Sequence, residues 1–237
     1  MSAELWQRRI DALGQFRVQN PERPELTKDD EHHLRTVLRA KSGEEIVVTN
    51  GEGSWSLCEV TDTSITRVTP VAIDPVTEET VLYLVPLKGD RSEWVVAKAT
   101  ELGVSRIVPL LSSRIAVKFK GDVRDKILSR WRRIAAESCG QCRRTYDIVI
   151  DEPVQISDVP VNVCVADFGG ISDWSGVRSV AVGPEGGWAP EEWGPERKKL
   201  GLGPTVLRGD TAGVVAASLL AYGAGDWGFT LNSRPNG

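Results

Sequence analysis

The segment GPEGG at residues 183–187 has the residue types of a ligand-binding loop. It follows an apolar run, 177–183, which predicts a strand, and it precedes a predicted helix at 190–199. Paired glycines let a backbone approach a ligand closely and adopt positive φ angles. Sheets of α/β proteins bind ligands in loops at the carboxyl ends of parallel strands, although an ordinary strand–helix turn would have a similar sequence.

A second segment, LGPTVLRGDTA at residues 202–212, contains an arginine that could take part in chemistry. Residues 205–208 predict a short strand, and Asp210 or Thr211 is the predicted cap of a final helix. Arg208 precedes that helix, where its positive charge is unfavourable to the helix dipole. An arginine at this place is more often paired or functional than idle, and a surface salt bridge is the alternative.

The sequence lacks the common nucleotide-binding signatures. No G-x-x-x-x-G-K-[ST] segment is present, which excludes a P-loop. Gly201 and Gly203 form G-x-G, but residue 206 is valine, so the dinucleotide fingerprint is incomplete. Cys139 and Cys142 form C-x-x-C inside a predicted helix, and a zinc site would need two further ligands. We therefore expect no metal and interpret these cysteines as packed or half-exposed thiols.

Two kinds of pattern divide the chain into a small β-rich module and a larger α/β module. Residues 16–75 predict short strands with tight turns, which is typical of a small β-barrel, and residues 74–79 predict a linker. Beyond it, apolar strands alternate with helices, which favours a mostly parallel sheet covered on both faces. We predict domains at 1–75 and 80–237. The predicted last helix, 210–222, is apolar nearly all round and should be buried in a core or an interface.

Basic charge is concentrated in the middle of an acidic chain. The net charge is −4, but residues 86–150 carry 14 Lys and Arg against 7 Asp and Glu. Phosphate binding depends on the local field, so a basic face can bind RNA inside an acidic protein. A solvated helix face is the alternative interpretation of this charge.

Composition bounds the class of protein. The chain has 237 residues, 41% of them hydrophobic, which is enough for one large domain or two unequal ones. Four cysteines are too few for a disulfide-stapled fold and fit a reducing compartment. The N-terminal residues lack the apolar region of a signal peptide, and no apolar run approaches the roughly 20 residues that span a bilayer. We expect a soluble, cytoplasmic protein.

Five segments match a known family in the family's order, between residues 32 and 222. They are HHLRTVLRAKSGEEI, LKGDRSEWVVAKATELGVSRIVPLLSSR, RWRRIAAESCGQCRR, AVGPEGGW and LGPTVLRGDTAG. Each is weak alone, but the combination of KATELGV, GPEGG and LGPTVLR is highly specific. The sequence resembles the RsmE-type 16S ribosomal RNA uridine-N3 methyltransferases of the SPOUT superfamily.

The resemblance implies a PUA-like N-terminal β-barrel that contacts RNA, and an α/β domain with a trefoil knot. Knots are so rare that composition and periodicity do not suggest one. It also implies S-adenosylmethionine as cofactor, held by three loops at 166–169, 183–187 and 202–208. The cofactor-binding residues so implied are Ala166, Asp167, Gly183, Pro184, Glu185, Gly186, Gly187, Leu202, Gly203, Val206, Leu207 and Arg208.

Methylation of uridine N3 would require loss of its proton and stabilisation of the resulting anion. Arg208 is the candidate cation or phosphate clamp, and Glu185 or Asp210 is the candidate base. The family usually reads LRTETA where this chain reads LRGDTA. Gly209 therefore lacks a hydroxyl, and the Asp210 side chain is one methylene shorter than glutamate.

The partners implied are 16S rRNA in the small ribosomal subunit and a second copy of the chain in a homodimer. A non-catalytic RNA-binding module for ribosome assembly is one alternative. A methyltransferase of this fold acting on another RNA position or on ribose is another. The candidate contacts to RNA phosphates are Arg35, Arg39, Lys88, Arg91, Arg114, Arg143 and Arg144.

Overall fold

The computed structural model describes residues 2–223, which form two compact units. The first unit comprises residues 2–76 and 139–147, and the second comprises residues 77–138 and 148–223. The predicted domains, 1–75 and 80–237, assign the stretch 139–147 to the second domain, whereas the structure groups it with the first unit. Met1 and residues 224–237, which the domain prediction included, lie outside the described residues.

The first unit contains a five-stranded mixed sheet. Its strands are β1 (Gln15–Arg17), β2 (Glu45–Thr49), β3 (Ser54–Val60), β4 (Ile65–Arg67) and β5 (Ala72–Ile73). They lie in the order β1-β2-β3-β4, with β5 also paired to β3, and only the β1–β2 pair is parallel. Three consecutive residues of β2, Ile46, Val47 and Val48, are fully buried because the strand packs against apolar side chains on both faces.

Two helices accompany this sheet, α1 (Ala3–Asp11) and α2 (Lys28–His32). Thr27 caps α2 by accepting a hydrogen bond from the Asp30 amide at 3.1 Å. One turn of π-helix, His33–Val37, follows α2 directly.

The stretch 139–147 is attached to the first unit by a buried carboxylate. The Asp74 Oδ2 atom accepts hydrogen bonds from Arg9 Nη1 at 2.8 Å and from Thr145 Oγ1 at 2.7 Å. Its Oδ1 atom accepts a hydrogen bond from the Trp55 indole at 2.9 Å. The Arg9 side chain is only 3% exposed, and its guanidinium lies over the Trp55 ring. Asp74 therefore neutralises a buried charge and is not part of a loose linker.

The second unit is built on a seven-stranded sheet in which every pair is parallel. The strands are β6 (Val81–Leu84), β7 (Arg106–Leu111), β8 (Val149–Ile150), β9 (Val154–Gln155), β10 (Cys164–Ile171), β11 (Ser179–Val182) and β12 (Lys199–Leu200). Their order is β12-β10-β11-β6-β7-β8, and β9 pairs with β7. The predicted class, an α/β unit with a mostly parallel sheet, is confirmed for the described residues.

Three helices belong to or begin in this unit, α3 (Arg91–Glu101), α4 (Gly121–Gln141) and α5 (Gly209–Gly223). Gly103, which follows α3, has φ +92°, a conformation typical of a helix-terminating glycine. α5 packs against α3 and β11. No helix among residues 2–223 is long and apolar enough to cross a membrane.

Two local predictions in this unit are wrong. The helix predicted at 190–199 is absent: residues 190–198 form turns and irregular structure and Lys199 begins β12, since Pro195 lacks an amide donor and disfavours helical geometry at Gly194. Residues 205–208 form no strand, and the sheet edge beside β10 is occupied by β12. Gly203, with φ +136°, and Pro204 turn the chain away from the sheet before α5 begins.

We predict that Asp74→Asn lowers the free energy of unfolding by about 3 kcal/mol, because it leaves the buried Arg9 charge unpaired. Urea-induced unfolding followed by tryptophan fluorescence would measure this change. Asp147→Asn is the matched control, since its ion pair with Arg17 is half-exposed (48% and 51%) and should contribute less than about 1 kcal/mol. Equal losses in the two variants would contradict the role assigned to Asp74.

Candidate functional site

A cavity of about 350 Å³ lies where residues 166–168 of β10, the loop after β11 and the segment before α5 meet. Of the twelve predicted cofactor-binding residues, only Arg208 is absent from its lining. The eleven that line it are Ala166, Asp167, Gly183, Pro184, Glu185, Gly186, Gly187, Leu202, Gly203, Val206 and Leu207. The structure thus brings the three predicted loops to one place, as expected for the carboxyl ends of adjacent parallel strands.

Six other residues line the cavity and were not predicted to do so. They are Phe168, Val182, Trp188, Thr205, Gly209 and Ala212. Phe168 is 71% exposed and Val206 is 86% exposed, so large apolar surface lies open at this cavity. Phe168 lies within residues 166–169, which the family resemblance indicated as a cofactor-binding segment. Its position in that segment was the signal that could have identified it as a lining residue.

Different structural constraints apply to the three glycines of the loop 183–187. A Cβ atom added to Gly183 would lie 2.8 Å from the Trp188 ring, so only glycine fits beneath that ring. Gly187 has φ +69°, the left-handed region that favours glycine, and its amide donates to the Pro184 carbonyl at 2.9 Å. A Cβ atom added to Gly186 would meet no protein atom within 4 Å. Gly186 therefore borders open space.

The Trp188 side chain joins the loop after β11 to the part of β10 that lines the cavity. Its indole N–H donates to the Ala166 carbonyl at 2.9 Å. The ring packs edge to face against Trp193, with ring centroids 5.1 Å apart. The loop after β11 is therefore held to the end of β10 by a hydrogen bond and an aromatic contact.

A close backbone contact shapes the wall that leads to Leu202. A Cβ atom added to Gly170 would lie 2.5 Å from the Leu200 carbonyl carbon, and one added to Gly201 would lie 2.6 Å from the Gly170 oxygen. The Gly201 amide donates to the Ile171 carbonyl at 2.9 Å. Glycine at both positions is thus required for β10 to carry the chain past β12 at this distance.

The Glu192 carboxylate holds the far end of the loop after β11. It accepts hydrogen bonds from the Ser112 hydroxyl at 2.7 Å, the Ser113 amide at 2.7 Å and the Ala189 amide at 2.8 Å. Burial alone would raise the pKa of Glu192, but these hydrogen bonds outweigh it and lower the pKa. The carboxylate is therefore ionised at neutral pH and accepts all of them.

The three candidate catalytic residues occupy different positions. Glu185 lines the cavity, and its carboxylate lies 3.2 Å from Arg91 Nη1 at the start of α3. The Asp210 carboxylate accepts the Thr211 amide at 3.0 Å, and Asp210 does not line the cavity. Arg208 is exposed, and its guanidinium has no hydrogen bond or ion pair with any residue in the described part of the chain.

The departure at position 209 has a structural reason. Gly209 is buried, and a Cβ atom added there would lie 2.8 Å from a methyl group of Leu87 and 3.4 Å from Glu185 Cγ. A threonine at this position would therefore require the Leu87 side chain to shift. Leu87 lies three residues after the end of β6.

The predicted RNA-contacting residues fall into two groups. Arg39 and Lys88 are exposed, Arg35 Nη2 donates to the Ser64 carbonyl at 3.1 Å, and Arg91 and Arg114 contact the loop after β11. In contrast, Arg143 donates to the Ala12 and Gly140 carbonyls, and Arg144 donates to the Tyr146 carbonyl. Burial lowers the pKa of both Arg143 and Arg144.

The C-x-x-C pair lies at the end of α4, with Cys139 buried and Cys142 exposed. Among residues 2–223, no three His, Cys, Asp or Glu side chains are grouped as a metal site would require.

Comparison with known proteins identifies the family. A model of the RNA methyltransferase domain matches residues 74–221, and a model of the RNA methyltransferase PUA domain matches residues 26–68. The chain is 31% identical over 182 residues to ribosomal RNA small subunit methyltransferase E of Aquifex aeolicus, covering 69% of this chain and 74% of that one. The chain belongs to the ribosomal RNA small subunit methyltransferase E family. The Bacillus subtilis member is 28% identical over 234 residues, covering 83% of this chain and 89% of its own.

Solved structures of methyltransferases have the same fold as this chain. A Legionella pneumophila methyltransferase with bound S-adenosylmethionine superposes with a TM-score of 0.72 at 25% identity, covering 88% of this chain and 96% of that one. The methyltransferase E of Neisseria gonorrhoeae, bound to S-adenosylmethionine, has the same fold, with a TM-score of 0.73 at 24% identity over 88% of this chain and 97% of its own. The predicted fold class, a SPOUT-type methyltransferase domain preceded by a PUA domain, is confirmed.

Two glycine substitutions would show whether a ligand occupies the cavity. Gly186→Ala meets no protein atom, so it should change stability by less than about 0.5 kcal/mol and still weaken S-adenosylmethionine binding about tenfold or more. Gly183→Ala pushes against Trp188 and should cost about 1–3 kcal/mol of stability as well. Thermal unfolding and titration calorimetry measure the two effects. Unchanged binding by Gly186→Ala would place the ligand elsewhere.

Proposed function

We propose that this protein transfers a methyl group from S-adenosylmethionine to N3 of a uridine in 16S rRNA of the small ribosomal subunit. The observation that carries the proposal is the cavity formed by three separate segments of the chain, within residues 166–168, 182–188 and 202–212. Membership of the methyltransferase E family supports the reaction class and the substrate RNA. The proposed substrate places the protein in the cytoplasm with the ribosomal subunits.

The cavity suits a cofactor of this size and chemistry. A volume of about 350 Å³ lies within the usual range for small-molecule sites, roughly 300–1,000 Å³. Open space beside Gly186 leaves room for a ligand against the backbone. Phe168, Val206 and Leu207 supply apolar contacts, and the Asp167 and Glu185 side chains supply acceptors for hydroxyl or ammonium groups. We assign these residues to cofactor binding.

We assign proton removal from uridine N3 to Glu185. Its carboxylate lies at the cavity and is oriented by Arg91, whereas the Asp210 carboxylate is engaged with the Thr211 amide outside the lining. The bound cofactor supplies an electrophilic methyl group on a sulfonium, which needs no metal. The Glu185 carboxylate would accept the N3 proton, and the electron pair left on N3 would form the bond to the methyl group as the sulfur–methyl bond breaks and its electrons stay on sulfur as a neutral thioether.

Arg208 is the cation that stabilises this developing charge. It follows Leu207, which lines the cavity, and precedes α5. Its guanidinium is exposed and makes no ion pair within residues 2–223, so its donors are available to the substrate. A fixed cation beside a developing anion is among the largest contributions to transition-state stabilisation.

RNA phosphates are proposed to bind to basic side chains whose donors face solvent. In the second unit these are Lys88 and Arg114, and in the first unit Arg39 is exposed. Arg35 and Arg91 keep donors beyond their internal contacts. For Arg143 and Arg144 we propose a lesser share, because backbone carbonyls already accept hydrogen bonds from their guanidinium groups. The proposed contacts remain spread over a folded surface, which favours the assembled subunit as substrate.

We predict that the protein methylates purified small ribosomal subunits faster than protein-free 16S RNA, with a rate that falls steeply with salt. Mass spectrometry of the nucleosides should show N3-methyluridine. Arg208→Gln, which keeps a polar side chain but no charge, should lower the rate by about 100-fold or more while cofactor affinity stays similar. Equal rates on both substrates would contradict the subunit assignment, and a methyl group on ribose or another base position would contradict the N3 assignment.

We also propose that the protein acts as a homodimer. Buried residues of α5 such as Ala216, Ala217 and Leu220 are covered within the chain, but Tyr222 at its end is 68% exposed. Phe168 and Val206 leave further apolar surface open beside the cavity. Apolar surface of this kind is typical of an interface between copies.

Sedimentation at micromolar protein should therefore show a dimer. Tyr222→Glu should raise the dimer dissociation constant by about tenfold or more, which corresponds to roughly 1.4 kcal/mol. Val161→Glu is the matched control, because Val161 is equally exposed, at 68%, but lies away from α5 and the cavity in sequence. A monomer at all concentrations would refute the dimer.

A further inference from the structure

Arg114 contacts the cavity loop from outside. It follows β7, and its Nη1 atom donates to the Gly186 carbonyl and to the Trp188 carbonyl, both at 3.2 Å. Gly187, which lies between these two carbonyls, has φ +69°. The guanidinium therefore bridges the carbonyl groups of the residues immediately before and after a left-handed glycine. Since Gly186 and Trp188 both line the cavity, a shift of these carbonyls moves its wall.

The same short segment after β7 holds the loop at a second point. Ser112 and Ser113 donate to the Glu192 carboxylate, and Glu192 also accepts the Ala189 amide. This contact has four donors around one carboxylate and is partly buried, so it is the fixed attachment. Arg114, with one nitrogen shared between two carbonyls on the surface, is the exchangeable attachment.

The rest of the Arg114 guanidinium faces solvent. Its Nε and Nη2 atoms donate to no acceptor among residues 2–223, and the side chain is exposed. The guanidinium is planar with donors in a rigid fork, so one edge can bind a phosphate while the other stays on the carbonyls. A lysine ammonium is a point charge without this second, geometrically fixed edge.

We propose that Arg114 is a positioning residue that couples RNA binding to the cofactor cavity. An RNA phosphate on its free edge fixes the guanidinium, and the guanidinium then fixes the Gly186 and Trp188 carbonyls in the shape that binds the cofactor. This inference rests on the proposed function and adds a linkage between its two ligands. Because linkage is reciprocal, the cofactor must strengthen RNA binding by the same factor.

The test measures binding of S-adenosylhomocysteine, which cannot donate a methyl group, with and without unmethylated small ribosomal subunits. For the wild-type chain we expect the subunit to tighten this binding by about fivefold or more, the lower end of ordinary coupling between sites. Arg114→Lys, which keeps the charge, should still bind subunits but lose the tightening. Lys118→Ala, which removes a nearby exposed charge, should weaken subunit binding slightly and keep the tightening.

A wild-type tightening that persists in Arg114→Lys overturns the proposal, as does a wild-type chain that shows none. Steady-state kinetics give a second readout: Arg114→Lys should raise the KM for the cofactor more than it lowers kcat, whereas loss of a purely structural contact would also lower thermal stability. The proposed function fails separately, if the wild-type chain binds no cofactor or methylates no subunit. If the wild-type chain methylates normally but Arg114→Lys and Lys118→Ala show equal coupling between subunit and cofactor binding, only the proposed linkage is refuted.

Discussion

The hydrogen bond from the Trp188 indole to the Ala166 carbonyl is the contact on which the cavity depends. Parallel strands bring the ends of β10 and β11 to one edge of the sheet, but that proximity alone does not define a ligand-sized space. Trp188 sets the separation of the two loops, and its ring occupies the space over Gly183. The edge-to-face contact with Trp193 then keeps the indole from rotating away.

Patterns that act over a few residues were sufficient to predict β11 and the glycine loop that follows it, but they did not predict β12. Other failures involve partners distant in sequence, although Pro195 was a local signal against the helix predicted at 190–199. Residues 190–199 looked helical, but the Glu192 carboxylate is held by Ser112 and Ser113, about 80 residues earlier. In the same way, no local signal shows that Arg143 and Arg144 turn inward to backbone carbonyls. Charge counting along the chain cannot separate such arginines from those that face solvent.

The family resemblance supplied what local physics could not, namely which loops belong together and which cofactor they hold. The structure also shows what surrounds the departure from the family pattern at position 209. The Leu87 side chain packs against Gly209, so a longer residue there would require Leu87 to move. The two positions are 122 residues apart in sequence and touch across the fold. Substituting either alone would leave a collision or a void.

The first compact unit draws its residues from two separate parts of the chain, 2–76 and 139–147. A ribosome makes the chain from its N-terminus. Thr145, whose hydroxyl donates a hydrogen bond to Asp74, is therefore not yet made when the β-rich part emerges. About 70 more residues must be added, which takes roughly 4–14 s at ordinary elongation rates of about 5–20 residues per second. During that interval the nascent first unit lacks residues 139–147. It cannot be completed until residues 77–138 of the second unit have been synthesised. A truncated chain ending at residue 76 would therefore remain permanently at that unfinished stage.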